Sequence, residues 1–192
     1  MSLPTHTERP PAVLPFAHPL DELYAKEGLA LPRIDQVAGP EVPEPFQQLL
    51  VHEGDMTPTL EAFFESTIHL EVLRREQRGD FYFREVLLRT DDAEQPVEFG
   101  AIKIHLALFP PAARQEILKE RLPLGTILAR YKIAHLSRPK AFLRVHSDDY
   151  ISRMLGLKGR HSLFGRRNTL SHMDQHPFAE IVEILPPIPA AP

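Results

Sequence analysis

Arg84 sits inside one of the most apolar runs of the chain, Phe81-Tyr82-Phe83-Arg84-Glu85-Val86-Leu87-Leu88. In a strand, side chains alternate between faces. That puts Tyr82, Arg84, Val86 and Leu88 on one side and Phe83, Glu85 and Leu87 on the other. Whichever side meets the core, a charge enters an apolar layer, and a buried charge is costly unless it is paired. One reading is a salt bridge within the sheet or an edge arginine that snorkels to water. The other is a guanidinium that binds a substrate carboxylate through two parallel hydrogen bonds.

A second pair of ionisable residues lies in Phe178-Ala179-Glu180-Ile181-Val182-Glu183-Ile184-Leu185. Glu180 and Glu183 are three apart, so a regular strand sends them to opposite faces. They cannot form a carboxylate pair of the glycosidase kind. One of them points inward, where it could pair with Arg84 or accept a hydrogen bond from a substrate hydroxyl. Lys158-Gly159-Arg160-His161 and Gly165-Arg166-Arg167-Asn168 form a basic cluster. Only Phe164 interleaves it with an aromatic ring, so it fits a single anion site or a basic hairpin better than a nucleic-acid surface. Ten histidines are scattered along the chain. His172 and His176 stand four apart across a turn-like segment, with no HExxH spacing, so no metal site is expected. G-x-S-x-G, GxGxxG and P-loop patterns are absent from the sequence, which counts against esterase, dinucleotide and nucleotide-hydrolase chemistry.

These residues need elements to hold them. The 192 residues contain no cysteine, which excludes disulfides, thiolate metal sites and cysteine nucleophiles. Apolar runs are too short to span a bilayer, and Met1–Pro11 lacks the basic-then-apolar pattern of a secretory leader. A cytoplasmic protein without membrane insertion is expected. Formal charge is -4, but it is unevenly spread: 11 basic and 21 acidic residues up to position 120, then 11 and 5. A basic final third could attract the acidic part or face an anion.

Proline is abundant, at 20 residues, and nine fall within 1–45. That segment reads as an extended N-terminal arm, with room for one short helix between Pro19 and Leu31, where Leu20, Leu23 and Tyr24 share a face. A domain over 46–187 and a tail over 188–192 follow. Phe46 to Val51 reads as a short helix. Asp55-Met56-Thr57-Pro58 reads as the start of another, with Thr57 as cap and Pro58 in the first turn. Strands are expected over 67–78, 81–89 and 97–108, joined by short turns into an antiparallel meander. Helices over 112–121 and 126–131, a strand over 140–145, a mixed helical stretch over 148–157, a basic strand-like stretch over 158–171 and a last strand over 178–185 complete the pattern. The fold class is α+β: an antiparallel sheet with helices packed on it.

Several of these stretches, taken in order, resemble the chorismate pyruvate-lyase family, which makes 4-hydroxybenzoate for quinone biosynthesis. The carrying residues are Leu49-Leu50, Asp55-Met56-Thr57, Leu60-Glu61, Phe83-Arg84-Glu85-Val86-Leu87-Leu88, Gly100, Leu122-Pro123-Leu124-Gly125, Gly165-Arg166-Arg167, and Glu183 before Pro186-Pro187. The resemblance implies a ligand cavity inside the domain under helical flaps, and a cofactor-free, metal-free lyase that releases pyruvate from chorismate. It gives Arg84 and Glu183 the catalytic positions, Arg84 at the ring carboxylate and Glu183 near the ring hydroxyl, with Glu180 as the alternative. Met56, Leu124, Gly125, Arg166 and Arg167 fall at the substrate, an arginine of the last pair being available for the second carboxylate. Expected partners are chorismate alone, with no nucleic acid, in a monomer. Ala101 follows Gly100 where that family carries arginine, the stretch from His146 to His161 is longer than the family's connection, and the arm is extra. The alternative is a non-enzymatic small aromatic-acid-binding domain of the same fold, similar to the effector-binding domains of some bacterial transcription regulators. Residues 1–45 are too rich in proline to form a helix-turn-helix.

Overall fold

The computed structural model describes residues 15–188. Those parts of the expected arm and tail that fall in 1–14 and 189–192 lie outside the described residues. The elements in chain order are α1 (Leu20–Lys26), β1 (Ile34–Val37), α2 (Phe46–Leu50), α3 (Met56–Phe64), β2 (Ile68–Arg78), β3 (Phe81–Thr90), β4 (Pro96–His105), α4 (Pro111–Leu118), α5 (Leu124–Arg130), β5 (Leu136–His146), α6 (Asp149–Met154), β6 (Ser162–Ser171) and β7 (Pro177–Leu185). Short 3-10 turns follow β1, at Gly39–Glu41, and β4, at Leu106–Leu108.

The seven strands form one sheet in the order β1-β5-β6-β7-β4-β3-β2. Every pairing is antiparallel. Two meanders, β2-β3-β4 and β5-β6-β7, lie side by side and are joined where β4 pairs β7, from Phe99↔Ile184 to Ile104↔Ala179. The chain is thus α+β, an antiparallel sheet flanked by helices. No helix of the described residues is long and apolar enough to cross a membrane.

Alternation along the strands gives the sheet two distinct faces. One carries Phe83, Leu87, Phe99, Val182 and Ile184 and is covered by Leu20, Leu23 and Tyr24 of α1 with Ile151 and Leu155 at α6. Tyr24 Oη donates to Asp148 at 2.9 Å, tying α1 to the residue that caps α6. The other face carries two separate apolar clusters. At one end Leu49, Leu50, Met56 and Leu60 of α2 and α3 pack on Val86, Leu88 and Leu185. At the other, Ile117 of α4 and Ile127 and Leu128 of α5 pack on Ile102, Ile104 and Phe178. Each such leucine or isoleucine, fully buried, contributes about 2 kcal/mol.

The segment expected as an arm contributes α1 to the core and β1 to the sheet edge, where Ile34 pairs Val145. Four residues between prolines carry too little alternation to announce a strand. α3 begins two residues earlier than its sequence implies. Asp55 takes the cap position in place of Thr57, yet its carboxylate makes no capping bond. The strand expected to run to Leu108 stops at His105 and turns into the 3-10 segment.

At Gly165, β6 and β7 approach unusually closely. A Cβ there would lie 2.3 Å from the carbonyl oxygen of Glu183 and 3.2 Å from Cα of Ile184, both of them backbone. Gly165→Ala is expected to force the strands apart and to cost about 2 kcal/mol, read as a lower urea midpoint.

Candidate functional site

Between the two apolar clusters of the second face lies a pocket of about 550 Å³, part of it open to solvent. Its floor is the sheet: Leu70, Arg84, Val86, Leu88, Glu98, Gly100, Ile102, Asn168, Leu170, Ile181 and Glu183. Its walls are the beginnings of two helices, Asp55-Met56-Thr57 at α3 and Pro123-Leu124-Gly125 at α5. The two helix starts come together because Gly125 has no side chain, since a Cβ there would meet Thr57 Oγ1 at 3.1 Å. Gly100 keeps the floor open in the same way, a Cβ there being 3.0 Å from Glu98 Oε1. His135, ahead of β5, fastens the wall: its Nε2 meets the Asp55 carboxylate at 2.9 Å and its Nδ1 the Ile133 carbonyl at 2.9 Å. The Asp55 carboxylate holds the His135 pKa above the ordinary histidine value, against the effect of burial.

Arg84 is 2% exposed. Its Nε and Nη1 have no hydrogen-bond partner among the described residues. Burial lowers its pKa to about 10, with Tyr82 and Glu120 opposing the shift. Tyr82 and Glu120 are hydrogen-bonded to each other, and Glu120 is ion-paired with Arg75. The guanidinium is therefore still charged at neutral pH, and two of its donor atoms are unsatisfied beside a pocket lined by Leu, Ile and Val side chains together with Asp55, Thr57, Glu98, Asn168 and Glu183.

The second arginine of the floor region is differently placed. Arg166, fully buried, is ion-paired with Glu183 through Nε. Its Nη1 donates to the His52 carbonyl at 3.0 Å and its Nη2 to the Gly54 carbonyl at 3.0 Å. Glu98, 4% exposed, stands near this pair with Oε2 unpartnered among the described residues. Burial first, and then repulsion by Glu183, push the Glu98 carboxyl well above the usual carboxylate range, with Arg166 opposing. Two carboxyls sharing one arginine cannot both be charged at low cost, so Glu98 is the neutral member.

The structure brings five of the seven sequence-predicted residues to the pocket: Arg84, Glu183, Met56, Leu124 and Gly125. It does not bring Arg166 or Arg167 to its lining. Arg166 lies beneath Glu183 and is fully engaged. Arg167 points to the opposite face and pairs with Glu180 at 2.9 Å. Glu183 thus faces the pocket and Glu180 does not. The partner of Glu183 is Arg166 and not Arg84. The sequence reading missed Glu98, Asn168 and Asp55. Strand alternation from Gly100 puts Glu98 on the floor beside Ile102, and that pattern was the available signal. Asn168 directly follows the two arginines and was hidden by their charge.

Two expectations follow from this network. Arg166→Met leaves the Glu183 carboxylate buried without its cation, and is expected to cost about 3–5 kcal/mol, measured by urea unfolding. Glu98→Gln copies the neutral carboxyl. A carboxyl whose folded pKa is raised contributes its stability below the unfolded value, about 4.3, and loses it as pH rises toward the folded value. Near pH 4 the variant and the parent are therefore expected to unfold at similar urea concentrations. As pH rises the variant is expected to become the more stable of the two; a constant difference across pH would refute a neutral Glu98.

No family model matches the chain, and no curated protein matches it in sequence. Solved structures do. The effector domain of PhnF from Mycobacterium smegmatis is 14% identical, with a TM-score of 0.54 over 71% of this chain and 90% of that one. PhnF from the same organism is 12% identical, with a TM-score of 0.53 over 86% of this chain and 92% of that one. The possible transcriptional regulator YydK from Bacillus subtilis is 10% identical, with a TM-score of 0.51 over 91% of this chain and 97% of that one. These structural neighbours overturn the resemblance to chorismate pyruvate-lyases. The lyase reaction, 4-hydroxybenzoate and pyruvate as its products, and the link to quinone biosynthesis fall with it. So does chorismate as the expected partner, together with the exclusion of any nucleic-acid context. What this chain shares with the three structures is their fold.

Proposed function

We propose that this chain is a non-enzymatic effector domain that binds a small organic acid, with Arg84 as its anchor. The observation that carries the reading is the charged, buried guanidinium with two unused donors in a partly apolar pocket. A carboxylate supplies what such a group lacks: an opposite charge and two acceptors in the plane of the fork. The apolar part of the floor and the walls at Met56, Leu124 and Gly125 suit a flat or compact hydrocarbon body such as an aromatic ring. α3 and α5 act as the flaps over this cavity. Glu183 and Arg166 serve it as a rigid floor and not as reacting groups.

In the regulatory setting that the PhnF and YydK likenesses suggest, occupancy of the pocket is passed to a DNA-binding module, and the setting is cytoplasmic. All pocket residues fall within 46–187, which we take as the binding unit.

Arg84→Met tests this directly. An arginine kept for a ligand weakens the protein that carries it, since a buried unpaired charge opposes folding. The variant is expected to lose affinity for benzoate or 4-hydroxybenzoate by on the order of 100-fold, measured by calorimetry. Its urea midpoint without added acid is expected to stay level or rise. A large drop in that midpoint with unchanged affinity would make Arg84 a structural residue and end the proposal. The parent protein mixed with chorismate is expected to release no pyruvate.

A further inference from the structure

Asn168 is the other pocket residue with an unused polar atom whose direction the surroundings fix. Ser137 Oγ donates to the Gly54 carbonyl at 3.3 Å. A hydroxyl has one hydrogen to give, so toward Asn168 it acts as acceptor, and Asn168 Nδ2 donates to it at 2.9 Å. That settles which end of the amide is which. Asn168 Oδ1 is buried, lacks a partner among the described residues, and belongs to the pocket floor. The Gly54 carbonyl is also bonded to Arg166, so the hydrogen-bond chain that orients the amide begins at the buried Arg166–Glu183 pair.

The register relates Asn168 to Arg84. Asn168 pairs Ile181, Ile181 pairs Ile102, and Ile102 pairs Arg84. The four residues form one row across β6, β7, β4 and β3, and directly paired residues share a face. Three strand spacings separate the ends of the row, about 14 Å between backbones. The row therefore carries the donors of Arg84 at one end and the unpartnered acceptor of Asn168 at the other, with two isoleucines between them.

We propose that Asn168 is a specificity-determining residue: it accepts a hydrogen bond from a hydroxyl or amino group at the end of the ligand remote from the carboxylate held by Arg84. The ligand class is a hydroxy or amino acid with a hydrocarbon body between its two polar ends. An acid without the donor leaves Asn168 Oδ1 buried and unmet, and sites built for a donor reject analogues that lack it. This assignment rests on the acid-binding reading above.

The test is calorimetry on the full chain with benzoate, 3-hydroxybenzoate, 4-hydroxybenzoate and 4-aminobenzoate at one pH. At least one donor-bearing acid is expected to bind tenfold or more tightly than benzoate, by the cost of one unmet buried acceptor. Asn168→Leu is expected to remove that advantage, bringing the donor-bearing acids to within about twofold of benzoate measured on the same variant. Equal affinities across the four acids in the parent protein would overturn the assignment without any variant. So would a preference that survives in Asn168→Leu. If the acids bind equally and all depend on Arg84, the acid-binding reading stands while the role of Asn168 is lost. Failure of all four acids to bind would sink both.

Discussion

Arg166 brings a full positive charge to a point beneath the sheet where water does not reach, and the chain meets it with a carboxylate and backbone carbonyls. Glu183 comes from β7, and the carbonyls of His52 and Gly54 come from the link between α2 and α3. A guanidinium placed so deep must be satisfied almost completely, or the desolvation of the charge outweighs what it gains. Its demands therefore set the positions of other parts. The α2–α3 link is drawn onto the sheet, which fixes where α3 starts and hence where Asp55, Met56 and Thr57 stand. Ser137 reaches Gly54 as well, and orients Asn168. Glu98, left beside a pair that is already neutral overall, has no cation of its own and keeps its proton. The polar character of the pocket descends from one ion pair, whose carboxylate lies in the floor and whose guanidinium lies outside the lining.

Arg84 is the counterexample that gives the pocket its purpose. It is as buried as Arg166 but has not been satisfied, although Glu120 and Tyr82 lie close enough to be felt electrostatically. Two arginines on one sheet face, one saturated with acceptors and one not, separate construction from recognition. The same contrast explains why a reading as a lyase was attractive. An arginine for a carboxylate, a leucine and glycine at a helix start and an inward glutamate describe a pocket for an acid, whether or not anything happens to that acid.

Much of this was legible in the sequence wherever a strand was long enough to show its period. The meander β2-β3-β4, the placement of Arg84 within it and the opposite directions of Glu180 and Glu183 all follow from alternation alone. β1 was not legible, because four residues after a proline carry no period and its pairing with β5 is decided by the rest of the sheet. Glu98 was passed over because a glutamate between Val97 and Phe99 reads as the wet side of a strand. Only the helices laid over that face make it the dry side. The division of labour between Arg166 and Arg167 could not be read either, since neighbouring arginines are alike until the partners on each face are known.

The sheet is built from two meanders, and the pocket floor runs across the β4–β7 seam between them. Each meander closes through turns between neighbours in sequence, whereas the seam pairs Gly100 with Glu183 and Ile102 with Ile181, contacts between distant parts of the chain. Distant contacts carry the larger loop-closure cost and form late. Arg84 and Asn168 lie on opposite sides of that seam, so neither half of the molecule holds a complete binding row. A bound acid would span that junction and, by holding the two halves together, would act as a clasp on the domain.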